Sequence, residues 1–134
     1  MILTLDVSAA IEVVMGRPKQ GEITDLLRKA DWIIAPSLFT YETSNVMWKY
    51  SNTYDVDILI KKTRQTLALV DEYIGPETIY EEAIAMSCKN NHPAYDAMYL
   101  VSCRRRNATL VTLDNKLMNL ASTLQIPYAM INKS

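Results

Sequence analysis

The segment Ala-Thr-Leu-Val-Thr-Leu-Asp at residues 108–114 is a short, mainly apolar run that ends in a carboxylate. The segment Met-Ile-Leu-Thr-Leu-Asp at residues 1–6 repeats this pattern at the other end of the chain. Short apolar runs bounded by cap or turn residues are typical of strands buried in a parallel sheet. We therefore predict two buried strands, each followed by an acidic residue at its carboxyl end.

Further strands and intervening helices complete the predicted pattern. Trp32–Pro36 is a third short apolar run, and Pro127–Ile131 is interpreted as a closing strand. Apolar residues at spacings of three and four predict helices over residues 7–15, around 23–30, 37–50, 56–74, 79–91, 94–106 and 114–124. Strands that alternate with helices favour an α/β layer sandwich around a short parallel sheet, with residues 1–134 as one domain.

The helix boundaries are predicted from cap residues. Ser37 is expected to cap the helix that ends near Tyr50, and Asp114 the helix that ends near Leu124. The longest helix should end at Gly75 and Pro76, because glycine supplies a left-handed cap and proline cannot continue a helix.

Composition excludes several classes of protein. The 14 basic and 15 acidic residues leave a net charge of −1, which excludes nucleic-acid binding by bulk positive charge alone. Three scattered glycines cannot form a GxGxxG or P-loop phosphate cradle, and two cysteines with one histidine cannot form a Cys/His zinc site. The sequence contains no signal-peptide pattern and no apolar run long enough to span a membrane, so we expect a cytoplasmic protein without membrane contact.

Four of the 15 acidic residues stand in apolar surroundings. Asp6 and Asp114 end the first and the clearest strand, while Glu42 and Asp96 lie early in helices among aromatic and apolar residues. Taken singly, each could be a helix cap, a partner of the helix dipole or an exposed residue. The carboxyl ends of parallel strands share one edge of the sheet, so we expect all four to converge on one crevice there.

Carboxylates that lie so close together repel one another, and a bound divalent cation relieves the repulsion. Oxygen ligands select Mg²⁺ or Mn²⁺ rather than zinc. The single histidine, His92, precedes a proline, so no histidine base or Ser-His pair is expected. The pattern therefore indicates water activated by a metal ion, as in phosphodiester hydrolysis.

Polar and basic residues near the four acids are candidates for supporting roles. Ser8, Asn45 and Thr112 are predicted to orient the carboxylates, although each alone could be a cap or a helix-surface group, which is the favoured role of Ser8. Arg17, Lys19 and Lys49 flank the loop and helix near Asp6 and Glu42, and are predicted to contact substrate phosphates.

The order Leu5-Asp6-Val7-Ser8, Glu42-x-x-Asn45, Tyr95-Asp96-Ala97-x-Tyr99-Leu100 and Leu110-Val111-Thr112-Leu113-Asp114 resembles a PIN domain, in particular the VapC-type toxin ribonucleases. The resemblance covers essentially the whole chain and implies a three-layer α/β/α sandwich with a mainly parallel sheet. It implies that Asp6, Glu42, Asp96 and Asp114 are the catalytic acids, and that Asp6, Asp96 and Asp114 hold Mg²⁺, for which Mn²⁺ can substitute. It also implies an RNA substrate, a homodimer and an antitoxin partner.

Three other readings compete with this one. A haloacid-dehalogenase-like phosphatase needs a second acid two residues after Asp6, where Ser8 stands, and a phospho-receiver domain needs paired acids after the first strand. A catalytically inactive PIN-like protein that binds RNA or serves as a scaffold stays open, because metal-dependent cleavage is what separates it from a nuclease.

Overall fold

A sheet of four parallel strands forms the centre of the computed structural model, which describes residues 1–131. The strands are β1 (Ile2–Leu5), β2 (Trp32–Pro36), β3 (Glu72–Ile74) and β4 (Thr109–Val111). Their order in the sheet is β3-β2-β1-β4, so the chain steps outward from β1 to β3 and then crosses back to β4. The change of direction lies between β1 and β4, where parallel sheets open a crevice at their carboxyl edge.

Within residues 1–131, seven α-helices and one 3₁₀ helix at Pro76–Thr78 join the strands. They are α1 (Val7–Val14), α2 (Gln20–Lys29), α3 (Leu38–Lys49), α4 (Val56–Leu67), α5 (Tyr80–Asn90), α6 (Ala94–Arg106) and α7 (Asn115–Thr123). Right-handed crossovers place α1 to α4 on one face of the sheet and α5 with α6 on the other. The contacts agree, because α1 packs on α2, α3 and α4, whereas α5 packs on α6. The predicted three-layer α/β/α sandwich is confirmed.

The core positions the start of α6. This helix packs against β1, β2 and β4, and its residues Ala97, Leu100 and Val101 are fully buried. Burial of apolar side chains is the main stabilising contribution to such packing, so α6 is held against the sheet along most of its length. Asp96 in its first turn is therefore carried on a firmly packed element.

The helix that begins at Val56 is shorter than its apolar spacing indicated. The prediction of one helix over residues 56–74 is wrong, because α4 ends at Leu67 and residues 72–74 form β3. Val70 and Ile74 are four residues apart, a spacing that fits the alternation of a strand as well as a helical turn. Pairing with β2 decides between them, and Gly75 is accordingly extended with φ −68° rather than left-handed.

Two smaller predictions are also wrong. Ser37 does not cap α3 with its side chain, because its hydroxyl donates instead to the carbonyl oxygen of Ile74 at 3.0 Å. The segment Pro127–Ile131 forms an isolated parallel bridge between Tyr128 and Leu110 rather than a strand. Pro127 has no N–H group with which to extend a ladder. In the described part of the chain, no helix is both long and apolar enough to cross a membrane.

Candidate functional site

The carboxyl ends of β1 and β4 bring Asp6, Ser8 and Thr112 into one hydrogen-bonded cluster. Leu5 pairs with Val111, and the next backbone N–H, that of Asp6, donates to the Val111 carbonyl at 3.0 Å. The hydroxyls of Ser8 and Thr112 donate to Oδ2 of Asp6 at 2.6 Å and 2.7 Å. The register between the two strands thus places both hydroxyls on the same carboxylate oxygen.

Backbone N–H groups complete this cluster. The Ser8 hydroxyl accepts from the N–H of Leu113 at 2.9 Å, and the Thr112 hydroxyl accepts from the N–H of Asp114 at 3.0 Å. Each hydroxyl has one hydrogen, and both hydrogens can therefore be directed to Asp6. The orientation of the Asp6 carboxylate is consequently determined by the loop that follows β4.

Burial dominates the electrostatics of Asp6. Only 9% of the residue is exposed, and this burial raises the pKa of its carboxyl group, while the hydrogen bonds from Ser8 and Thr112 act in the opposite direction. Its side chain also accepts from the Ser8 N–H at 3.4 Å as the N-cap of α1. Ionisation of this carboxyl group is therefore energetically unfavourable unless a cation lies nearby.

Glu42 approaches the site from α3. The buried hydroxyl of Tyr99 donates to its Oε1 at 2.7 Å. The pKa of Glu42 is raised to about 7, mainly by burial; the hydrogen bond from Tyr99 acts in the opposite direction, and the negative charges of Asp6, Asp96 and Asp114 contribute to the rise. Asp6, Asp96 and Asp114 therefore lie near enough to Glu42 for their charges to act on its carboxyl group. Tyr99 was not singled out from the sequence, although its spacing of three from Asp96 places both on one face of a helix.

Asp96 is paired with His92, which was not among the predicted site residues. Oδ2 of Asp96 lies 2.8 Å from Nε2 of His92, one helical turn earlier, and both side chains are largely shielded from solvent. Because His92 precedes a proline, no histidine base was expected at the site. The spacing of four between an imidazole and a carboxylate was the available signal.

Asp114 is more exposed than the other three acids. Its Oδ1 accepts from the backbone N–H groups of Lys116 and Leu117, at 2.9 Å and 3.4 Å, and so caps α7 as predicted.

Across residues 1–131, no three His, Cys, Asp or Glu side chains are grouped closely enough to form a ready metal centre. Oxygen donors and the shared negative charge nevertheless fit a hard divalent cation. The donor atoms of the site therefore suit such an ion in their chemistry, although in the described residues they are not grouped closely enough to enclose one.

The predicted supporting residues are placed differently from one another. Thr112 and Ser8 both contact Asp6. Asn45 is exposed on α3, one turn after Glu42, and forms no hydrogen bond with it among the described residues. The hydroxyl pair therefore orients a carboxylate in the structure, whereas the role of Asn45 stays a prediction.

The three predicted phosphate contacts also differ. Lys19 lines a cavity of about 430 Å³ together with Thr112 and Asn115, beside the Asp6 cluster. Arg17 lies over the ring of Tyr50, with its guanidinium carbon 5.6 Å from the ring centroid, and donates to the Tyr50 hydroxyl. Lys49 is exposed at the end of α3. Lys19 is thus the best placed of the three.

A second cavity opens beside Asp96. It measures about 600 Å³ and is lined by His92, Asp96, Lys116 and Asn119, among others. Asn119 also lines the cavity beside Thr112, so α7 borders both spaces. Each of the two cavities is thus lined by one lysine, Lys19 in the first and Lys116 in the second, and Asp96 lines the second cavity directly.

Apolar side chains are exposed at another place, between α3 and α4. A groove of about 570 Å³ there is lined by Met47, Trp48, Val56, Leu59 and Ile60, among others. Trp48 and Val56 are two-thirds exposed. Exposed apolar patches of this kind mark surfaces that bind proteins or other apolar partners.

Comparisons with known proteins agree with this architecture. The family model described as PIN domain matches residues 3–122. A structure of PAE2754 from Pyrobaculum aerophilum is 18% identical, with a TM-score of 0.71 over 90% of this chain and 84% of that one. A structure of VapBC2 from Rickettsia felis bound to a promoter DNA fragment is 16% identical, with a TM-score of 0.71 over 98% and 100%. A structure of VapBC-1 from nontypeable Haemophilus influenzae is 17% identical, with a TM-score of 0.67 over 96% and 97%. None of the curated proteins compared with this chain matches it significantly.

Proposed function

The chain belongs to the PIN domain family, and from that premise we propose that it is a divalent-metal-dependent endoribonuclease, the toxin of a toxin–antitoxin pair that acts in the cytoplasm. The observation that carries the proposal is the position of Asp6 at the switch point of the sheet, together with the negative charges of Asp6, Asp96 and Asp114 that act on Glu42. Burial and three neighbouring negative charges together raise the pKa of Glu42 to about 7. A bound cation would compensate this concentration of charge.

In this proposal Asp6, Asp96 and Asp114 hold Mg²⁺, or Mn²⁺ in its place. When bound, the ion supplies a polarised water and an electrophilic contact to the scissile phosphate. Ser8 and Thr112 orient Asp6 through its Oδ2. Glu42 is suited to accept and release a proton at its carboxylate, because a group with a pKa close to ambient pH does both.

The lysines near the carboxylates favour a substrate with a phosphodiester backbone. Lys19 lines one flanking cavity and Lys116 lines the other. Lysines placed on both sides of a cleavage site can neutralise phosphates before and after the bond that is cut. We therefore assign the two cavities to the RNA segments on either side of the scissile phosphate.

The proposed antitoxin is supported by the likeness to the two VapBC structures. The apolar groove between α3 and α4 offers surface to a protein partner, either the antitoxin or a second copy of the chain. Expression of the chain without an antitoxin should then inhibit growth of the host, and Asp96→Asn should relieve the inhibition. Equal growth of the two strains at matched protein levels would contradict the toxin assignment while leaving the nuclease assignment intact.

The direct test is cleavage of RNA by the purified protein in Mg²⁺, in Mn²⁺ and in EDTA, with Asp96→Asn as the control variant. We expect cleavage that needs the metal ion and is lost in the variant. Cleavage that persists in EDTA, or in Asp96→Asn, would contradict the proposal. RNA binding without cleavage in any metal would favour the inactive, RNA-binding alternative.

A further inference from the structure

His92 is the single histidine of the chain and is held in a restricted turn between α5 and α6. Asn91 ends α5 in the left-handed conformation with φ 50°, and Pro93 precedes α6 with φ −57°. The backbone N–H of His92 donates to the Ser87 carbonyl at 3.2 Å. A proline on one side and a helix cap on the other leave this backbone little freedom, so the imidazole is directed toward α6.

The contact between His92 and Asp96 has a defined polarity. An ionised carboxylate only accepts hydrogen bonds, so Nε2 of His92 carries the hydrogen that Oδ2 of Asp96 accepts at 2.8 Å. The side chains of His92 and Asp96 are only 17% and 26% exposed, so water competes weakly for this bond. The donor engages one carboxylate oxygen of Asp96 and leaves the other outside this contact.

Asp6 shows the same arrangement at the carboxyl end of β1. The hydroxyls of Ser8 and Thr112 both donate to its Oδ2. Side-chain donors that hold one oxygen of a carboxylate orient the other oxygen toward a metal ion, and their loss commonly weakens metal binding about 10- to 100-fold. His92 corresponds in chemistry to that hydroxyl pair, but it acts on the acid carried by α6.

We propose that His92 is a positioning residue for Asp96, holding Oδ2 through Nε2–H so that the remaining oxygen is available to the divalent cation. The inference rests on the proposed function, because it assigns His92 a role toward the metal ion of that same site. His92 acts through Asp96 and does not itself touch the reacting phosphate.

The test compares His92→Gln with His92→Asn. The side-chain amide of glutamine reaches the position of Nε2, whereas that of asparagine is one methylene shorter and cannot reach Asp96. Both replacements are polar and neutral, so they form a matched pair. Mn²⁺ binding followed by electron paramagnetic resonance should weaken about tenfold in His92→Asn and stay near the wild-type value in His92→Gln.

RNA cleavage provides a second measurement. The loss of activity in His92→Asn should shrink as Mn²⁺ is raised to saturation, since the variant binds the ion weakly but keeps Asp96. A lower melting temperature in EDTA, with unchanged Mn²⁺ affinity, would show a purely structural role and overturn the inference. Equal weakening in His92→Asn and His92→Gln would also overturn it, because the donor position would then not matter.

Asp96→Asn separates this inference from the proposed function. If the wild-type protein binds no Mn²⁺, or Asp96→Asn binds it as well as the wild type, the proposed function fails and the role of His92 fails with it. If Asp96→Asn loses the ion while His92→Asn binds it normally, only the role of His92 is overturned.

Discussion

The two halves of the carboxylate site are built in different ways. In the strand-end half, Asp6 lies directly after β1 and receives two hydroxyls, one of them from the residue that follows β4. In the helix-borne half, Glu42 and Asp96 project from α3 and α6, and in the described residues each accepts one side-chain hydrogen bond. The strand-end half is held by the sheet itself, whereas the helix-borne half depends on how two helices pack.

This difference has consequences for stability and activity. The hydroxyl cluster around Asp6 is buried and also satisfies backbone N–H groups, so damage there should lower stability and activity together. Glu42 and Asp96 each accept one side-chain hydrogen bond, and both contacts are partly exposed. Substitutions there should therefore change metal binding or pH dependence with a smaller loss of stability.

The largest expected effect belongs to the strand-end half. Asp6→Asn keeps the size and the helix-capping ability of the residue but removes the negative charge. RNA cleavage should fall at least about 100-fold, which corresponds to about 3 kcal/mol of activation free energy. Initial rates at saturating Mg²⁺ measure the loss, and circular dichroism controls for folding. A variant that retained a large fraction of the wild-type rate would remove Asp6 from the catalytic set.

Thr112 tests whether the hydroxyl cluster also stabilises the fold. Thr112→Val removes the donor to Asp6 and the acceptor for the Asp114 N–H, at a residue that is 1% exposed. The free energy of unfolding, measured with urea, should fall by about 1–3 kcal/mol. Thr112→Ser retains the hydroxyl and serves as the matched control. Similar losses in the two variants would assign the effect to packing rather than to the hydrogen bonds.

Tyr99 gives the corresponding test in the helix-borne half. Tyr99→Phe removes one hydrogen bond to Glu42 and keeps the buried ring. We expect a loss of about 1 kcal/mol in the free energy of unfolding, smaller than the loss in Thr112→Val. A larger loss in Tyr99→Phe would reverse the comparison between the two halves.

The last prediction concerns the charge of Glu42, and its effect is expected to be no larger than that of Tyr99→Phe. Its folded-state pKa of about 7 lies above the ordinary value of 4.5, so ionisation destabilises the folded protein progressively as pH rises from about 4.5 to 7. Glu42→Gln cannot ionise and should therefore be more stable than the wild type at pH 8 in EDTA. Because Glu42 is partly exposed, solvent screening reduces the gain to about 1 kcal/mol, or about 3 °C in melting temperature.

The same comparison at pH 5 controls this prediction, because folded Glu42 is then largely protonated and the difference should shrink. Addition of millimolar Mg²⁺ at pH 8 should raise the melting temperature of the wild type, since the ion binds the folded state. A gain in Glu42→Gln that did not depend on pH would place its origin outside the carboxylate charge.

Much of the fold could be predicted because its signals are local. Trp32–Pro36 and Ala94–Arg106 have the same bounds in the sequence analysis and in the structure, since proline and asparagine mark their ends. The boundary between α4 and β3 could not be predicted, because a spacing of four satisfies both helical and strand periods. The pairing of β3 with β2 resolved it.

The sequence by itself determined a parallel α/β fold, because strands alternate with helices along the chain, and from the shared carboxyl edge of such strands it predicted that the four acids meet there. Only the tertiary structure decided which groups hold those acids. Tyr99 reaches Glu42 across 57 positions of sequence, and the Thr112 hydroxyl reaches Asp6 across 106. Such contacts depend on the rotation of helices and the register of strands, which packing of the whole core sets and no local pattern specifies.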